Sequence, residues 1–558
     1  MKDVTGKPKK VNLGQWFKKN SSTKIESKFG RKWYIALILL LLVYYYIYLP
    51  ALNYAVIEFW MFMGIAALGI LLIEFMHDSQ KFIVNESDLK NFKLPLKYKI
   101  ILAPFIFALV IGLGAQLIFS PVFMANKYSK MIDIKEASFE KEFPETDVTQ
   151  IPLMDRDTSE RLGNRKLGSL TNLVSQFEVA SDYTQINISG KPYRVTPLEY
   201  AGFFKWVNNF QKGIPHYLQV DTVTGEVEVK TPSQPIKYSN ADKFNRNIRR
   251  HLRFNYPFSI FSQPAFEVDD QGNPYYIATT FTRNFFIKEP EANGVVTVNA
   301  MTGEMKKYSL KDAPKWIDRI HNSDLILHQI TMNGLYKNGF WNSLFSKTGV
   351  TEPTEGYNYL PMNDDLYLYT GITSVSADES NIGFVLVNLR TKEAKQYTVD
   401  AAEEFSAMKS AEGSVQETEY TATFPLLINI KGKPMYILTL KDNSGLIRKY
   451  ALVDVANYSK VYVENNVQKL MAAYAQDNAM ELGESFKDEN IVDVKGTIEE
   501  IQAVVVDGQT VYYFMLSGNI YQASIKLHQQ LPFVKSGQEI QLKATKEGKV
   551  TEIVKIGE

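Results

Sequence analysis

Three uncharged apolar stretches open the chain, and a long region of alternating apolar and polar positions follows. Trp33–Ile57 carries no formal charge, and Ile35–Leu49 is almost entirely Ile, Leu, Val and Tyr; Phe59–Ile73 and Ile100–Asn126 are uncharged as well. A hydrocarbon core of about 30 Å needs about 20 apolar residues in a helix. The first and third stretches meet that length, and the second reaches it with Glu58 and Glu74 near opposite interfaces. These two carboxylates are about 24 Å apart along one helix, so they cannot share a site, and solvation at the interfaces accounts for both despite the cost of charge in lipid. No small-residue cleavage site follows the first stretch, which therefore reads as an anchor and not as a signal peptide. The Gly112 and Gly114 pair reads as close helix packing.

Charge gives the spans a direction. Residues 1–32 hold ten Lys or Arg against Asp3 and Glu26, and His77–Lys99 holds Lys81, Lys90, Lys93, Lys97 and Lys99 against Asp78, Glu86 and Asp88, while Pro50–Asn53 holds no charge. The positive-inside rule puts both basic segments in the cytoplasm, so everything after Asn126 is expected on the outer face. Lys9, Lys10, Lys18 and Lys19 around Trp16 and Phe17 suit a topology signal or contact with an anionic leaflet. The whole chain balances 62 basic against 61 acidic residues, and 47 against 54 beyond residue 99. That balance removes any electrostatic case for nucleic acid as a partner. With no Cys in 558 residues, a disulfide scaffold, a thiolate zinc site and a Cys nucleophile are excluded. A large exported region without Cys fits the envelope of a Gram-positive bacterium.

Within residues 150–463 one pattern recurs. His216–Glu226 (HYLQVDTVTGE), Val295–Glu304 (VVTVNAMTGE), Phe384–Glu393 (FVLVNLRTKE) and, more weakly, Tyr450–Tyr458 (YALVDVANY) each run from an apolar strand into Asp or Asn and a tight turn. The expected turn residues are Asp221, Gly225, Asn299, Gly303, Asn388 and Asp454: the Asp or Asn side chain opens the turn and Gly takes the positive φ. An upstream hairpin precedes each, at Gly190–Tyr193, Gly272–Tyr275 and Gly432–Tyr436, with Asn363–Asp365 in the third unit. Short amphipathic helices are expected between the units. One starts at Ser239 and Asp242 with Phe244, Ile248 and Leu252 inward; one starts at Asp312 with Trp316, Ile317 and Ile320 inward; one is capped by Asp400 and Glu403 before Phe405 and Met408. Val463, Val467, Leu470, Met471 and Tyr474 form a further stripe.

The ending apolar-Val-Asp-x-x-Thr-Gly-Glu, with a helix ahead of the strands, resembles that of PepSY domains. The likeness is best at Asp221–Glu226, fair at Asn299–Glu304 and weaker at Asn388–Glu393. It implies modules of one helix on a small antiparallel sheet, engaged in extracytoplasmic binding or protease inhibition. The three-span, many-module layout also resembles an uncharacterised family of membrane proteins from Gram-positive bacteria. Residues 490–558 change character. Val494–Val506, the Asp507-Gly508 turn, Tyr512–Leu516, Ile520–Ile525, a helical piece at Leu527–Val534, Ile540–Leu542 and Val550–Ile556 make five strands with a helix between the third and fourth. This resembles a small OB-fold barrel, with Tyr512, Tyr513, Phe514 and Tyr521 as its aromatics. Outside the cell a structural or protein-binding barrel is the expectation.

Chemistry is sparse. His321 and His328, seven residues apart, could share a helix face, but the six His form no ligand pattern. No nucleophile elbow or phosphate loop occurs, and no catalytic, cofactor-binding or metal-ligating residue is assigned. Asp155, Arg156 and Asp157 read as a helix cap. Lys243, Arg246, Arg249, Arg250 and Arg253 fall at spacings that would put most of them on one helix face, a candidate anion-binding patch for an envelope polymer, or else a solvated face.

The expected fold is therefore a membrane-anchored α+β chain: a basic cytoplasmic tail (1–32), a three-helix membrane domain (33–126), a linker and first module (127–235), second (236–310), third (311–399) and fourth (400–463) modules, a helix and linker (464–489) and a barrel (490–558). The expected function is extracytoplasmic binding or scaffolding in the plasma membrane, with the lipid bilayer and an envelope protein or anionic wall polymer as partners. The alternatives are an envelope hydrolase or transferase with a site between modules, or an accessory subunit of a transport or signalling complex.

Overall fold

The computed structural model describes residues 26–78, 95–147, 150–286, 288–375, 381–401, 403–478, 491–506, 509–528, 530–545, 548 and 550–557. Most of the basic tail, including Lys9, Lys10, Lys18 and Lys19, lies outside the described residues, as do Lys81, Lys90 and Lys93, residues 479–489 of the second linker and the Asp507-Gly508 turn.

Among the described residues three helices are long and apolar enough to cross a membrane: α1 (Glu26–Tyr48), α2 (Ile57–Asp78) and α3 (Leu96–Ile118). Their limits differ from those of the uncharged runs. Leu49 takes a positive φ ahead of Pro50 and ends α1 well short of Ile57, because Pro has no N–H and disfavours helix in the residue before it. α3 starts directly after Pro95, so it takes in Lys97 and Lys99, and a break at Ser120 separates it from α4 (Pro121–Tyr128). Glu74 ties the three helices together: Tyr34 of α1 donates to it at 2.5 Å and Lys97 of α3 pairs with it. Neither Gly112 nor Gly114 has a neighbour within 4 Å of its Cβ position, so the expected close packing is absent there. It occurs instead at Gly69, where a Cβ would collide with Leu37.

The rest of the chain is mixed α and β. Contacts divide the chain into two compact units, Met1–Pro144 with Gln150–Ser406, and Glu145–Thr149 with Ala407–Glu558. After β1 (Ile134–Ala137), the first unit holds three sheets of one design. The first sheet is β2 (Phe177–Val179), β3 (Thr184–Ile188), β4 (Lys191–Tyr200), β5 (Tyr217–Asp221) and β6 (Val227–Lys230). The second is β7 (Ile260–Phe261), β8 (Ala265–Val268), β9 (Pro274–Asn284), β10 (Glu289–Asn299) and β11 (Met305–Ser309). The third is β12 (Thr351–Pro353), β13 (Asn358–Met362), β14 (Asp365–Ser374), β15 (Asn381–Asn388) and β16 (Ala394–Ala401). In each, the first two strands lie end to end along one side of the long third strand, the fourth pairs on its other side and the fifth lies outside the fourth, all antiparallel. The third sheet gains β1, in parallel on β16.

Helices precede the sheets: α5 (Arg156–Gly168) the first, with α6 (Phe203–Asn209) inside it, α7 (Ile248–Asn255) the second and α8 (Ser323–Tyr336) the third. The first two sheets enclose one core, in which Ile186, Val195 and Leu218 meet Phe266, Tyr276 and Val296. The third has its own, where Ile326 and Ile330 of α8 pack on Leu368, Val385 and Val387.

Two expected helix starts are displaced. Ser239 and Asp242 do hydrogen-bond each other, but a single 3₁₀ turn follows, Phe244 is exposed, and the helix begins only after Asn247, whose side chain accepts from the Arg250 N–H. Asp312 caps nothing. It accepts from Ser309 Oγ in a turn, Ile317 and Ile320 are buried from an irregular segment, and the helix starts at Ser323, capped by Asn322.

The second unit holds a fourth sheet of the same order, β17 (Thr421–Ala422), β18 (Leu426–Ile430), β19 (Lys433–Lys441), β20 (Ile447–Asp454) and β21 (Val461–Glu464), between α9 (Glu404–Gly413) and α10 (Val467–Asp477). α9 starts at Glu404, and Asp400 belongs to β16 and not to a cap. The stripe expected after the fourth unit splits: Val463 sits in β21, while Leu470, Met471 and Tyr474 of α10 are buried. The remaining strands are β22 (Ile491–Val506), β23 (Gln509–Leu516), β24 (Asn519–Ser524), β25 (Glu539–Thr545) and β26 (Val550–Ile556). β22 pairs through its second half with β23 and through its first half with β25. Two 3₁₀ turns, Ile525–Leu527 and Leu531–Phe533, stand where one helix was expected. Phe514 is buried among Ile498, Leu531 and Leu542, and Tyr512 and Tyr521 pack against that core, so these three aromatics serve the core, while Tyr513 is part-exposed.

Candidate functional site

The repeated turns share one hydrogen-bond set. Asp221 Oδ1 accepts from the N–H groups of Val223 (2.8 Å) and Thr224 (2.9 Å), the Asp221 carbonyl accepts from Gly225, and Thr224 Oγ1 accepts from the Glu226 N–H. Asn299 repeats this with Met301, Thr302, Gly303 and Glu304, and Asn388 with Arg390, Thr391, Lys392 and Glu393. Asp454 keeps the first part, accepting from Ala456 and Asn457. Gly225 and Gly303 have φ of 75° and 78°; Lys392 holds 67° at the same place and pairs with Glu291 at 2.6 Å. Because Asn serves where Asp does, Asp221→Asn is expected to leave stability almost unchanged. Asp221→Ala, which orphans two N–H groups, is expected to cost about 1–2 kcal/mol, measurable by denaturant unfolding of the full chain in detergent.

The basic stretch does not form one helix face. Lys243 and Arg246 precede α7, and only Arg249, Arg250 and Arg253 lie on it. Arg246 donates to the carbonyl of Phe210. Arg250 Nε donates to the carbonyl of Tyr46 at 3.3 Å, its guanidinium 4.2 Å from that ring's centre. Arg253 Nε donates to the carbonyl of Leu49 at 3.0 Å, while Nη1 reaches those of Tyr256, Pro257 and Ser259. The backbone joins in: Leu52 N–H donates to Pro257 O at 2.8 Å, and Asn53 Nδ2 to Phe258 O at 2.9 Å. Two arginines thus sit at the C-terminal end of α1, where the helix dipole is negative and carbonyls lack partners. Lys288 plays a similar part at α3, donating to Gln116 O at 3.4 Å. Lys243 and Arg249 are exposed.

A second cluster is buried where the three sheets of the first unit meet. Asp318 Oδ2 accepts from the Asn187 N–H at 2.5 Å, Thr279 Oγ1 donates to Ile320 O at 2.7 Å, and Arg319 Nη2 donates to Tyr359 Oη at 3.2 Å, while at the exposed rim the Gly190 N–H donates to Asp364 Oδ1 at 2.9 Å. Glu267 of β8 is fully enclosed; burial pushes its carboxyl up to about 7, with the Arg319 charge pulling the other way. Asp318 is driven well above the carboxylate range by burial and then by Glu267. Burial also lowers Arg194 to about 10 and His321 to about 4. His321 lies before α8 and His328 on it, bonded to Glu289 at 2.7 Å, so the two share no site. The sequence offers little sign of this cluster. Glu267 alternates with Phe266 and Val268, which in a sheet with one wet face marks a solvent-facing position; here all three are buried.

Clefts open on the surface of the first unit. One of about 500 Å³ runs between the first two sheets, lined by Lys191, Tyr193, Tyr217, Gln219, Lys230 and Asp270 among others. One of about 400 Å³ is lined by Ile47, Tyr48, Leu49, Asn240, Asn247, Arg249, Arg250 and Gln263. Asp155 accepts from the Thr158 N–H as the cap of α5. Among the described residues no group of three or more His, Cys, Asp or Glu is disposed to hold a metal ion.

No family model matches the chain, and no curated protein matches it. Among solved structures it is similar to an apocarotenoid oxygenase from Synechocystis, at 9% identity over 68% of this chain and 61% of that one with a TM-score of 0.14. It is also similar to a levansucrase from B. megaterium, at 9% identity over 76% and 97% with a TM-score of 0.17. The chain spans 61% of the length of the oxygenase. Likenesses at these scores carry no inference to this chain.

Proposed function

We propose that this is a multi-pass plasma-membrane protein of a Gram-positive bacterium. Its N-terminus is cytoplasmic and residues beyond Asn126 form an extracytoplasmic binding scaffold of PepSY-like modules ending in an OB-like barrel. The strand order repeated in four sheets supports the module reading, and a long first strand shared by two halves of the last sheet supports the barrel. The observation that carries the function is the open cleft of about 500 Å³ between the first two sheets. Tyr193 supplies apolar area with a polar tip, and Lys191, Lys230 and Asp270 supply charge of both signs. That lining suits a protein segment better than a uniformly anionic polymer. The rival reading, a hydrolase or transferase, would draw on Glu267 and Asp318, which are 0% and 1% exposed.

A photocrosslinking residue at Lys191 in intact membranes tests the reading. The expected result is one envelope protein captured reproducibly, and lost with Tyr193→Ala. Capture of nothing, together with turnover of wall polymer by the purified full chain, would overturn it.

A further inference from the structure

The folded body carries exposed aromatic groups that a water-facing surface does not call for, and several of them connect to the ends of the apolar helices or to α4 just beyond. Phe254 lies 6.1 Å and 6.0 Å from Tyr45 and Tyr46 in the last turn of α1. Phe258, 67% exposed, follows Pro257, whose carbonyl holds Leu52 in the α1–α2 turn. Phe286, also exposed, stacks at 6.0 Å on Phe119, the residue after α3. A short helix at Phe340–Leu344 packs near α4, linked through Tyr336 to Tyr128, and presents Trp341, Leu344 and Phe345 outward, the last 73% exposed. Singly, exposed apolar residues mean little. Here the groups at Phe254, Phe258 and Phe286 join helix ends on one side of the apolar segment, since α1 and α3 both finish there and α2 starts there, and the group at Phe340–Leu344 joins α4, which follows α3 on that side.

Cations accompany them. Arg250, Arg253 and Lys288 occupy the helix ends, and exposed Arg249 lines the cleft of about 400 Å³ beside Tyr48. Aromatic rings just beyond the span ends with basic groups at the same level are the composition of a membrane–water interface.

We propose that this face of the first unit lies in the bilayer leaflet nearest the ends of α1 and α3, with Phe254, Phe258, Phe286, Trp341, Leu344 and Phe345 as interfacial anchors and Arg249 at the lipid phosphates. The occupant is the bilayer itself, because the face continues from helices already in it. The module body is thus held against the membrane and not free on a stalk. This rests on reading α1–α3 as membrane spans.

The chain has no Cys, so single-Cys variants need no background removal. The full-length protein with Phe258→Cys, Leu344→Cys or Phe345→Cys, each carrying an environment-sensitive fluorophore, is reconstituted in phosphatidylcholine–phosphatidylglycerol vesicles. Leu40→Cys and Val110→Cys report the spans, and Lys191→Cys reports an aqueous site. The expected result is a blue shift at all three anchor sites and loss of most emission to nitroxides placed about 5–10 Å below the phosphates, with Lys191→Cys unaffected. Quenching at Leu40→Cys and Val110→Cys with anchor sites matching Lys191→Cys would overturn the proposal and leave the spans standing. Loss of quenching at the two span sites would overturn the span reading, and the proposal with it.

Discussion

Replacing Arg253 by alanine is expected to destabilise the first unit by about 3 kcal/mol and to expose the α1–α2 turn. The side chain is half-buried over the Phe261 ring and donates to carbonyls from two parts of the chain, Leu49 at the end of α1 and Tyr256, Pro257 and Ser259 after α7. Truncation takes the side-chain donor from all four carbonyls, of which Pro257 O keeps only the Leu52 N–H and Tyr256 O only the Ser259 N–H, and removes positive charge from the negative end of a helix dipole. Arg253→Lys is expected to rescue little, because one ammonium cannot reproduce a planar fork that serves several acceptors at once. The melting temperature of the full chain in detergent and protease cutting between residues 49 and 56 read the two effects. Wild-type melting and an uncut turn in Arg253→Ala would mean that the clasp contributes nothing.

Asp318→Asn is expected to act in the opposite direction and only at higher pH. Glu267 and Asp318 both have carboxyls raised in the folded state, Glu267 from 4.5 to about 7. A folded-state acid with a raised value holds its proton when the unfolded chain has lost it, so stability is complete below the unfolded value and falls as pH climbs towards the folded one. The first unit should therefore begin to lose stability at about pH 4 as an unfolded Asp318 ionises, with Glu267's share lost between about pH 4.5 and 7. Asn at 318 keeps an acceptor for the Asn187 N–H and removes repulsion from Glu267. The variant is expected to match wild type at about pH 3, below the ordinary aspartate value of 3.8, and to exceed it by about 2 kcal/mol at pH 8. Melting curves across that range decide the matter; an equal gain at both pH values would place the effect in packing instead of charge.

What was legible in the sequence follows from physical range. The spans needed only composition, yet their ends did not, because Pro50, Pro95 and Pro121 set them more sharply than the run of uncharged residues. The turns at Asp221, Asn299, Asn388 and Asp454 were legible because each is closed by atoms within five residues. The helix after Ser239 was misplaced because a reciprocal Ser–Asp bond looks the same whether or not a helix follows. The arginines were visible as charge, but their acceptors at Tyr46 and Leu49 lie some two hundred residues earlier in the chain, beyond any local pattern. The buried carboxyls were hidden for a related reason: β8 is covered on both faces, so alternation no longer separates inside from outside.

On the proposed topology the sheets stand on the outer side of the membrane, anchored by three spans. Labelling of single-Cys variants with a membrane-impermeant maleimide tests it in intact bacterial cells. Cys at Lys191 should react fully before lysis, and Cys at Lys10 only after it. Labelling of Lys10→Cys in whole cells, with Lys191→Cys silent until the cells are broken, would contradict the account.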